Sequence, residues 1–171
     1  MNGALTRWTR HHLDRLVESA ATTAPLVGGT GTPRVLPDDD VWDLWPVQAA
    51  DGSPSLVRGE ELWMALSAPA TSHPETRHDV ARIRLLAKDV HGWHDRGHVF
   101  PDGASPGSRE WSGCAVRGDD DTLSVFYTAA GVRGEARPTF VQRIIRATTR
   151  LVTDRDGVRV APGPGPAATC D

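Results

Sequence analysis

An aspartate lies between two tryptophans in the motif V-W-D-L-W-P at residues 41–46. Asp43 follows Trp42 directly and precedes Trp45 by two residues, so a carboxylate is surrounded by indole rings. Enzymes that act on glycosidic bonds need this combination, because an indole contacts the apolar face of a sugar while a carboxylate reacts at its anomeric carbon. The motif therefore indicates a carbohydrate site, and the alternative is that the tryptophans only fill the core.

A second motif, S-R-E-W-S-G at 108–113, again places an acid beside a tryptophan and adds a hydroxyl group. Glu110 precedes Trp111, and Ser112 follows it. A hydroxyl that donates a hydrogen bond to a carboxylate keeps that carboxylate ionised and fixes its direction. The second motif therefore strengthens the interpretation of a carbohydrate site.

Regular strand geometry does not by itself bring these groups together. Neighbouring side chains in a strand point to opposite faces, so Trp42 and Asp43 share a site only where a β-bulge or a chain end turns one of them. Pro46 cannot donate a hydrogen bond to a neighbouring strand. We therefore expect this strand to line a funnel rather than to be paired on both sides.

Three further kinds of polar segment have both a functional and a structural interpretation. The histidines of H-G-W-H-D-R-G-H at 91–98 would suit a metal, but a polar hairpin is the simpler interpretation. The acidic runs 38–40 and 119–121 would suit calcium, but solvated turns explain them more simply, and EF-hand spacing is absent. R-H-D at 77–79 opens a predicted strand, either as a structural salt link or as part of a site. The sequence predicts no metal site.

The composition excludes several classes of partner. The 171 residues suffice for one domain, and 19 basic against 22 acidic side chains give a net charge of −3. No basic block is interleaved with aromatic residues, so neither a nucleic acid nor an acidic membrane is indicated. Six of the ten aromatic residues are Trp, which suits surfaces that are apolar on one side and polar on the other, such as those that bind sugars.

Short strands dominate the predicted secondary structure. A short helix is predicted over residues 5–20, with Leu13, Leu16 and Val17 on one side at helical spacing. Strands are predicted at 41–48, 61–67, 81–87, 113–116, 122–128 and 138–153, the last leading through a D-G turn into V-R-V. This spacing indicates an all-β sandwich, barrel or propeller.

Neither the cysteines nor the chain ends indicate a disulfide framework or a membrane anchor. Cys114 lies in an apolar run and is predicted to be buried, and Cys170 lies next to the C-terminus. No transmembrane run and no secretory signal are visible in the sequence. The last eleven residues are rich in Pro and Gly and are predicted to be disordered.

Several segments resemble, in chain order, glycoside hydrolase family 68, the levansucrases and related fructosyltransferases that act on sucrose. They are V-W-D-L-W-P-V-Q, D-G-S, R-H-D-V-A-R-I-R-L-L, G-S-R-E-W-S-G-C-A and L-S-V-F-Y-T-A-A-G. The resemblance runs from about Trp8 to about Val160. It implies part of a five-bladed β-propeller with a central funnel. The implied organisation is a helix and lead-in at 1–34, N-terminal blades at 35–160 and a disordered tail at 161–171.

The resemblance also implies roles for four residues. Asp43 matches the family's nucleophile, which attacks the anomeric carbon of the fructosyl ring and forms an ester with it. Trp42 and Trp111 match the tryptophans that line the fructose subsite, and Ser112 matches the serine that donates a hydrogen bond to the nucleophile. Water, sucrose or a growing fructan then accepts the fructosyl group with retention.

Parts of the family's catalytic machinery have no match in this sequence. In the family, the acid/base glutamate and the aspartate of an R-D-P motif lie further downstream. Arg155 and Asp156 are followed by Gly157 and so do not match that motif, and Glu110 does not match the acid/base position. The chain is therefore interpreted as the N-terminal portion of a levansucrase, inactive alone. The alternative is an inactive remnant or a non-catalytic sugar-binding fragment.

The resemblance further implies the partners and the location. Sucrose and a fructan acceptor are expected as partners, together with a complementing C-terminal fragment. No cofactor is expected in this chain, because the family's calcium ligands, where present, come from the C-terminal part. The family works outside the cell or in the periplasm. A propeller that does not close its ring exposes strand edges and apolar faces, so we expect a marginally stable chain.

Overall fold

The computed structural model of the chain describes residues 9–24, 33–70 and 73–161. The chain divides into two compact units between Pro33 and Arg34. The domain boundaries predicted at 34 and 160 stay predictions. Most of the Pro/Gly-rich tail lies outside the described residues.

The first unit contains a helix, α1 (Arg10–Asp14), that is shorter than the one predicted. Residues 5–8 lie outside the described part, but 15–20 are described and are not helical. Leu13, Leu16 and Val17 are 55%, 62% and 73% exposed, so no apolar face of theirs is buried. Because short helices depend on such burial for their stability, the apolar spacing alone does not extend α1.

The second unit is built from strands, which confirms the all-β prediction. Its 3₁₀ helix spans Pro74–Asp79. The strands are β1 (Asp39–Ala49), β2 (Leu56–Val57), β3 (Glu60–Pro69), β4 (Arg82–Asp89), β5 (Gly92–His98), β6 (Arg109–Arg117), β7 (Thr122–Ala130), β8 (Gln142–Asp154) and β9 (Gly157–Val160).

The strands form two antiparallel groups that meet along one short parallel pairing. The order is β5-β4-β3-β1-β6-β7-β8-β9, with β2 on β3. The parallel pairing joins Val47–Ala49 of β1 to Ala115–Arg117 of β6, and it begins directly after Pro46. β1 thus has a neighbour on each side in the sheet, contrary to the expectation, but its pairing with β3 ends at Pro46 and its pairing with β6 covers only residues 47–49.

Strand periodicity explains both the core and one wrong prediction. In β7 the alternate residues Leu123, Val125 and Tyr127 are at most 1% exposed and form part of a core shared by both groups. Ala115 of β6 is fully buried on the same principle. Its neighbour Cys114 must then point outward, and it is exposed rather than buried as predicted.

No helix in the described part of the chain is long and apolar enough to cross a bilayer.

Candidate active site

Asp43 lies in a β-bulge of β1. Trp42 pairs with Leu66 of β3 and Trp45 pairs with Met64, so two residues of β1 oppose a single residue of β3. Asp43 has a φ of 49°, in the left-handed region, which aspartate tolerates better than most residues. The bulge turns the Asp43 side chain out of the regular alternation, as the sequence required, and the side chain lines a cavity.

Ser112 lies in a second bulge, in β6. The pairing with β7 slips between Trp111 and Gly113, which leaves Ser112 without a residue opposite it. Gly113 permits this close approach of the two backbones, because a Cβ atom there would lie 1.8 Å from the Phe126 carbonyl oxygen. Trp111 and Ser112 consequently line the same cavity as Asp43, although regular alternation would separate them.

The cavity that these two bulges open on has a volume of about 450 Å³. This lies within the range of small-molecule sites, roughly 300–1,000 Å³. Its lining combines carboxylates, rings and a hydroxyl, which suits a ligand with both apolar and polar faces. The lining residues are Asp43, Leu66, Glu75, His78, Asp79, Trp111, Ser112 and Phe140.

The segment R-H-D does not open a strand as predicted, but ends the 3₁₀ helix that begins at Pro74. Proline at the first position of this helix fixes φ in the helical range, so the turn forms before β4 starts. The Arg77 guanidinium lies 4.6 Å from the centroid of the Trp42 ring. The His78 ring meets Trp42 edge-on, with a centroid distance of 5.4 Å. Among the described residues, Arg77 and His78 thus contact the Trp42 ring, whereas the sequence also allowed a structural salt link in this segment.

Trp111 is held from two sides. Its indole Nε1–H donates to the backbone carbonyl of His78 at 3.2 Å. The Arg109 guanidinium lies 5.4 Å from the centroid of its ring. Arg109 is itself buried and donates to Glu135 at 3.1 Å. Hydrogen bonds from Ser108 and Thr139 lower the pKa of Glu135 to about 2, so this partner of Arg109 is anionic at neutral pH.

Glu110 does not belong to the cavity of Asp43. It is 3% exposed, and its Oε2 accepts a hydrogen bond from the backbone N–H of Ile83 at 2.7 Å. It lines a separate cavity of about 320 Å³ together with Arg82 and Arg133. Burial raises the pKa of Glu110 to about 7. The structure thus makes Glu110 a buried link between β6 and β4, and it does not supply the second carboxylate next to Asp43.

The polar clusters considered for metals have partners within the protein. His94 Nε2 lies 2.9 Å from Asp89 Oδ1, which also accepts from two backbone N–H groups of its own hairpin. Asp89 and Glu60 approach His94 closely enough to share an ion, but Glu60 is paired with Arg96. The prediction of no metal in this chain stays a prediction.

Comparison with known proteins decides the family. A family model described as levansucrase/invertase, glycoside hydrolase family 68, matches residues 1–162. The chain belongs to this family. The relatives below share its sequence or its fold.

An inulosucrase from Halalkalicoccus jeotgali, solved with bound kestose, is 38% identical and superposes with a TM-score of 0.79 over 97% of this chain and 40% of its own. An extracellular sucrase from Zymomonas mobilis is 28% identical over 158 residues, which are 90% of this chain and 37% of that protein. A Bacillus subtilis levansucrase, 22% identical with a TM-score of 0.65, covers 80% of this chain and 33% of its own and shares the fold. The chain thus spans well under half the length of these relatives.

In this levansucrase-family chain, the β-strands form part of a five-bladed β-propeller. Three of the predicted site residues line one cavity, namely Asp43, Trp111 and Ser112. Trp42 is not among the lining residues, but its ring contacts the ring of His78, which is. No hydrogen bond joins Asp43 to Ser112 among the described residues. Sequence reasoning missed Glu75 and Phe140, because the turn and loop that carry them show no periodicity that would assign them a direction, whereas His78 and Asp79 belong to the R-H-D segment that the sequence offered as part of a site.

Proposed function

We propose that this chain carries the nucleophile half of a fructosyltransferase site of the levansucrase type. The observation that carries the proposal is that two separate β-bulges bring Asp43 and Ser112 to one cavity beside Trp111. Bulges bend a strand and leave a residue unpaired, and they are frequent next to active sites, where they re-aim side chains. The left-handed φ of Asp43, 49°, is a further local strain of the kind found at such sites.

In the proposed reaction, the Asp43 carboxylate attacks the anomeric carbon of the fructosyl ring of sucrose. The bond to the glucosyl oxygen breaks, and the fructosyl group is held as an ester on Asp43. Water or the hydroxyl of a fructan then attacks the same carbon and releases Asp43, so that configuration is retained overall. We propose that Trp111 offers an aromatic surface to the sugar and that the Ser112 hydroxyl donates a hydrogen bond to the Asp43 carboxylate in the complete site.

The acid/base is proposed to come from outside this chain. Retaining enzymes need a second carboxyl group about 5 Å from the nucleophile, which protonates the leaving oxygen. Glu110 lines a different cavity. The longer relatives contain sequence beyond the part that matches this chain, and we propose that a complementing C-terminal segment of that kind supplies the acid/base. The isolated chain would then be inactive, and no cofactor is proposed for it.

A second candidate is a non-catalytic sugar-binding remnant of such an enzyme. It is favoured by the sequence, in which no residue matches the family's acid/base position, although Glu75 and Asp79 line the cavity together with Asp43. Both candidates bind sucrose, and they differ in whether adding a C-terminal segment restores turnover. For either, a location outside the cell is proposed, because the Zymomonas mobilis relative is named an extracellular sucrase.

The first experiment measures glucose release from sucrose by the purified chain, beside Asp43→Asn as the control. We expect no release from either protein. Release by the parent that is lost in Asp43→Asn would show that an acid within this chain completes the site, and the proposal of an external acid/base would fail. Sucrose binding to the parent, measured by calorimetry, separates a half-site from a chain that has no sugar site.

A further inference from the structure

Two consecutive residues of the 3₁₀ helix Pro74–Asp79 contact both tryptophans of the proposed sugar site. Arg77 lies over the Trp42 ring at 4.6 Å, and the His78 ring meets Trp42 edge-on at 5.4 Å with an interplanar angle of 79°. The His78 carbonyl accepts the Trp111 indole N–H at 3.2 Å. One short turn therefore fixes two indoles that belong to different strands, β1 and β6.

These contacts determine how Trp42 is oriented. In the described part of the chain the buried Trp42 Nε1–H has no hydrogen-bond partner, so the ring is not anchored by its polar end. The orientation must then come from the groups that touch the ring. A cation over an indole ring and a second ring at its edge are both directional contacts, since they follow the quadrupole of the ring.

Arg77 has few other interactions that would explain its position. Its Nε is buried and has no hydrogen-bond partner among the described residues, and no ion pair of Arg77 is found there. A guanidinium that is partly desolvated gains most from the aromatic face below it. The position of Arg77 is thus explained by Trp42 rather than by a carboxylate.

The same turn also reaches the cavity itself. His78 and Asp79 line the cavity of Asp43 along with Trp111. The opposite support of Trp111 comes from the buried Arg109, which is fixed by Glu135. Arg109 holds only Trp111, whereas the turn contacts both indoles.

We propose that Arg77 and His78 are positioning residues, which hold Trp42 and Trp111 in the arrangement that receives the fructosyl ring beside Asp43. This inference rests on the proposed function for its ligand, a fructosyl-containing sugar. It assigns to the R-H-D segment a role in shaping the subsite rather than in contacting the reacting atoms.

The test is NMR of the tryptophan indole N–H groups in the full chain, assigned with Trp→Phe variants. We expect His78→Ala to shift the Trp42 indole signal, because it removes the ring that packs against Trp42 but keeps the backbone carbonyl that accepts from Trp111. Arg77→Met should shift the Trp42 signal. His78→Phe should restore the parent behaviour, because it keeps a ring at the edge of Trp42.

Lys88→Met is the matched control. Lys88 lies over Trp93 at 5.5 Å, so the variant removes the same kind of contact from a tryptophan outside the cavity. It should leave the Trp42 and Trp111 signals unchanged. Unchanged Trp42 and Trp111 signals in both Arg77→Met and His78→Ala would overturn the inference, whether or not the chain binds sucrose.

A sucrose titration of the same samples separates the two proposals. In the parent we expect sucrose to shift the Trp42 and Trp111 signals, and in His78→Ala we expect the dissociation constant to rise about tenfold, with recovery in His78→Phe. No sucrose-induced shift in the parent would reject the fructosyl subsite itself. Altered indoles with an unchanged dissociation constant in His78→Ala would show that the turn is only structural, and would reject its positioning role.

Discussion

Asp43 and Ser112 lie in two β-bulges on different strands, and both bulges open on one cavity. Each bulge departs from regular strand geometry at the residue that the site needs. Asp43 adopts a left-handed φ of 49°, and Ser112 depends on the missing side chain of Gly113. The site is therefore built from local irregularities of the backbone, which can be tested one at a time.

Asp43→Asn should leave stability nearly unchanged, whereas Asp43→Ala should lower it. Asparagine tolerates the left-handed region about as well as aspartate, but alanine pays about 1 kcal/mol there. We expect urea denaturation to place Asp43→Asn within about 0.5 kcal/mol of the parent and Asp43→Ala about 1 kcal/mol below it. Equal stability of the two variants would argue against a strained backbone at this residue.

Gly113→Ala should destabilise the chain by about 2–4 kcal/mol, because the new Cβ has no space against β7. The nearest atom would be the Phe126 carbonyl oxygen, at 1.8 Å. Gly118→Ala is the matched control, since the nearest atom there is the flexible Asp120 carboxylate at 3.1 Å. Thermal melts of both variants check the prediction. A Gly113→Ala variant as stable as Gly118→Ala would mean that the β6 bulge is not held as the structure has it.

Glu110→Gln should make the chain more stable at and above neutral pH. Burial raises the pKa of Glu110 in the folded chain from 4.5 to about 7, so the folded state binds this proton more tightly than the unfolded state. Stability is therefore highest below the unfolded pKa, falls as the pH rises toward the folded pKa, and stays reduced above it. The loss is on the order of 3 kcal/mol.

Glutamine keeps an oxygen that can accept from the Ile83 N–H and carries no charge. The variant and the parent should thus have similar free energies of unfolding near pH 4 and should diverge as the pH approaches 7. Urea denaturation at a series of pH values measures the difference. If the difference in free energy of unfolding between parent and variant stayed the same from pH 4 to pH 7, the burial of an ionisable Glu110 would be contradicted.

Glu135→Gln should have the opposite pH dependence. The folded pKa of Glu135 is lowered to about 2, chiefly by hydrogen bonds from Ser108 and Thr139. The stabilisation from its charge is therefore present above the unfolded pKa and is lost as the pH falls toward the folded one. We expect the parent to lose its advantage over Glu135→Gln as acid is added. A constant difference from pH 5 down to about 2 would rule out that role of the Glu135 charge.

The sequence allowed the strands to be predicted where alternation or β-branched residues mark them, as in β3, β4, β7 and β8. It did not allow the end of α1 to be predicted, because the stability of a short helix depends on what it packs against. The exposure of Cys114 was missed because its direction depends on a register that a bulge two residues earlier shifts. Whether a single strand residue is buried depends on the register of its pairing, because a one-residue slip moves its side chain to the other face of the sheet.

The candidate site was predictable in its residues and not in its surroundings. Asp43, Trp111 and Ser112 were named from two motifs, and the need for a bulge at Asp43 followed from strand geometry. The contact of R-H-D with Trp42 was not predictable, because it joins segments more than thirty residues apart through a turn. Phe140 likewise reaches the cavity from the segment before β8, where no pattern assigns a direction.

The most direct test is glucose release from sucrose by a fusion of this chain to the C-terminal part of the Halalkalicoccus jeotgali inulosucrase that this chain does not match. A cooperative melt and sucrose binding show that the fusion is folded. We expect the fusion to release glucose and Asp43→Asn in the same fusion to lower the rate by at least about a thousandfold while still binding sucrose. A folded, sucrose-binding fusion that releases no glucose, or one whose release survives Asp43→Asn, would contradict the assignment of Asp43 as the nucleophile.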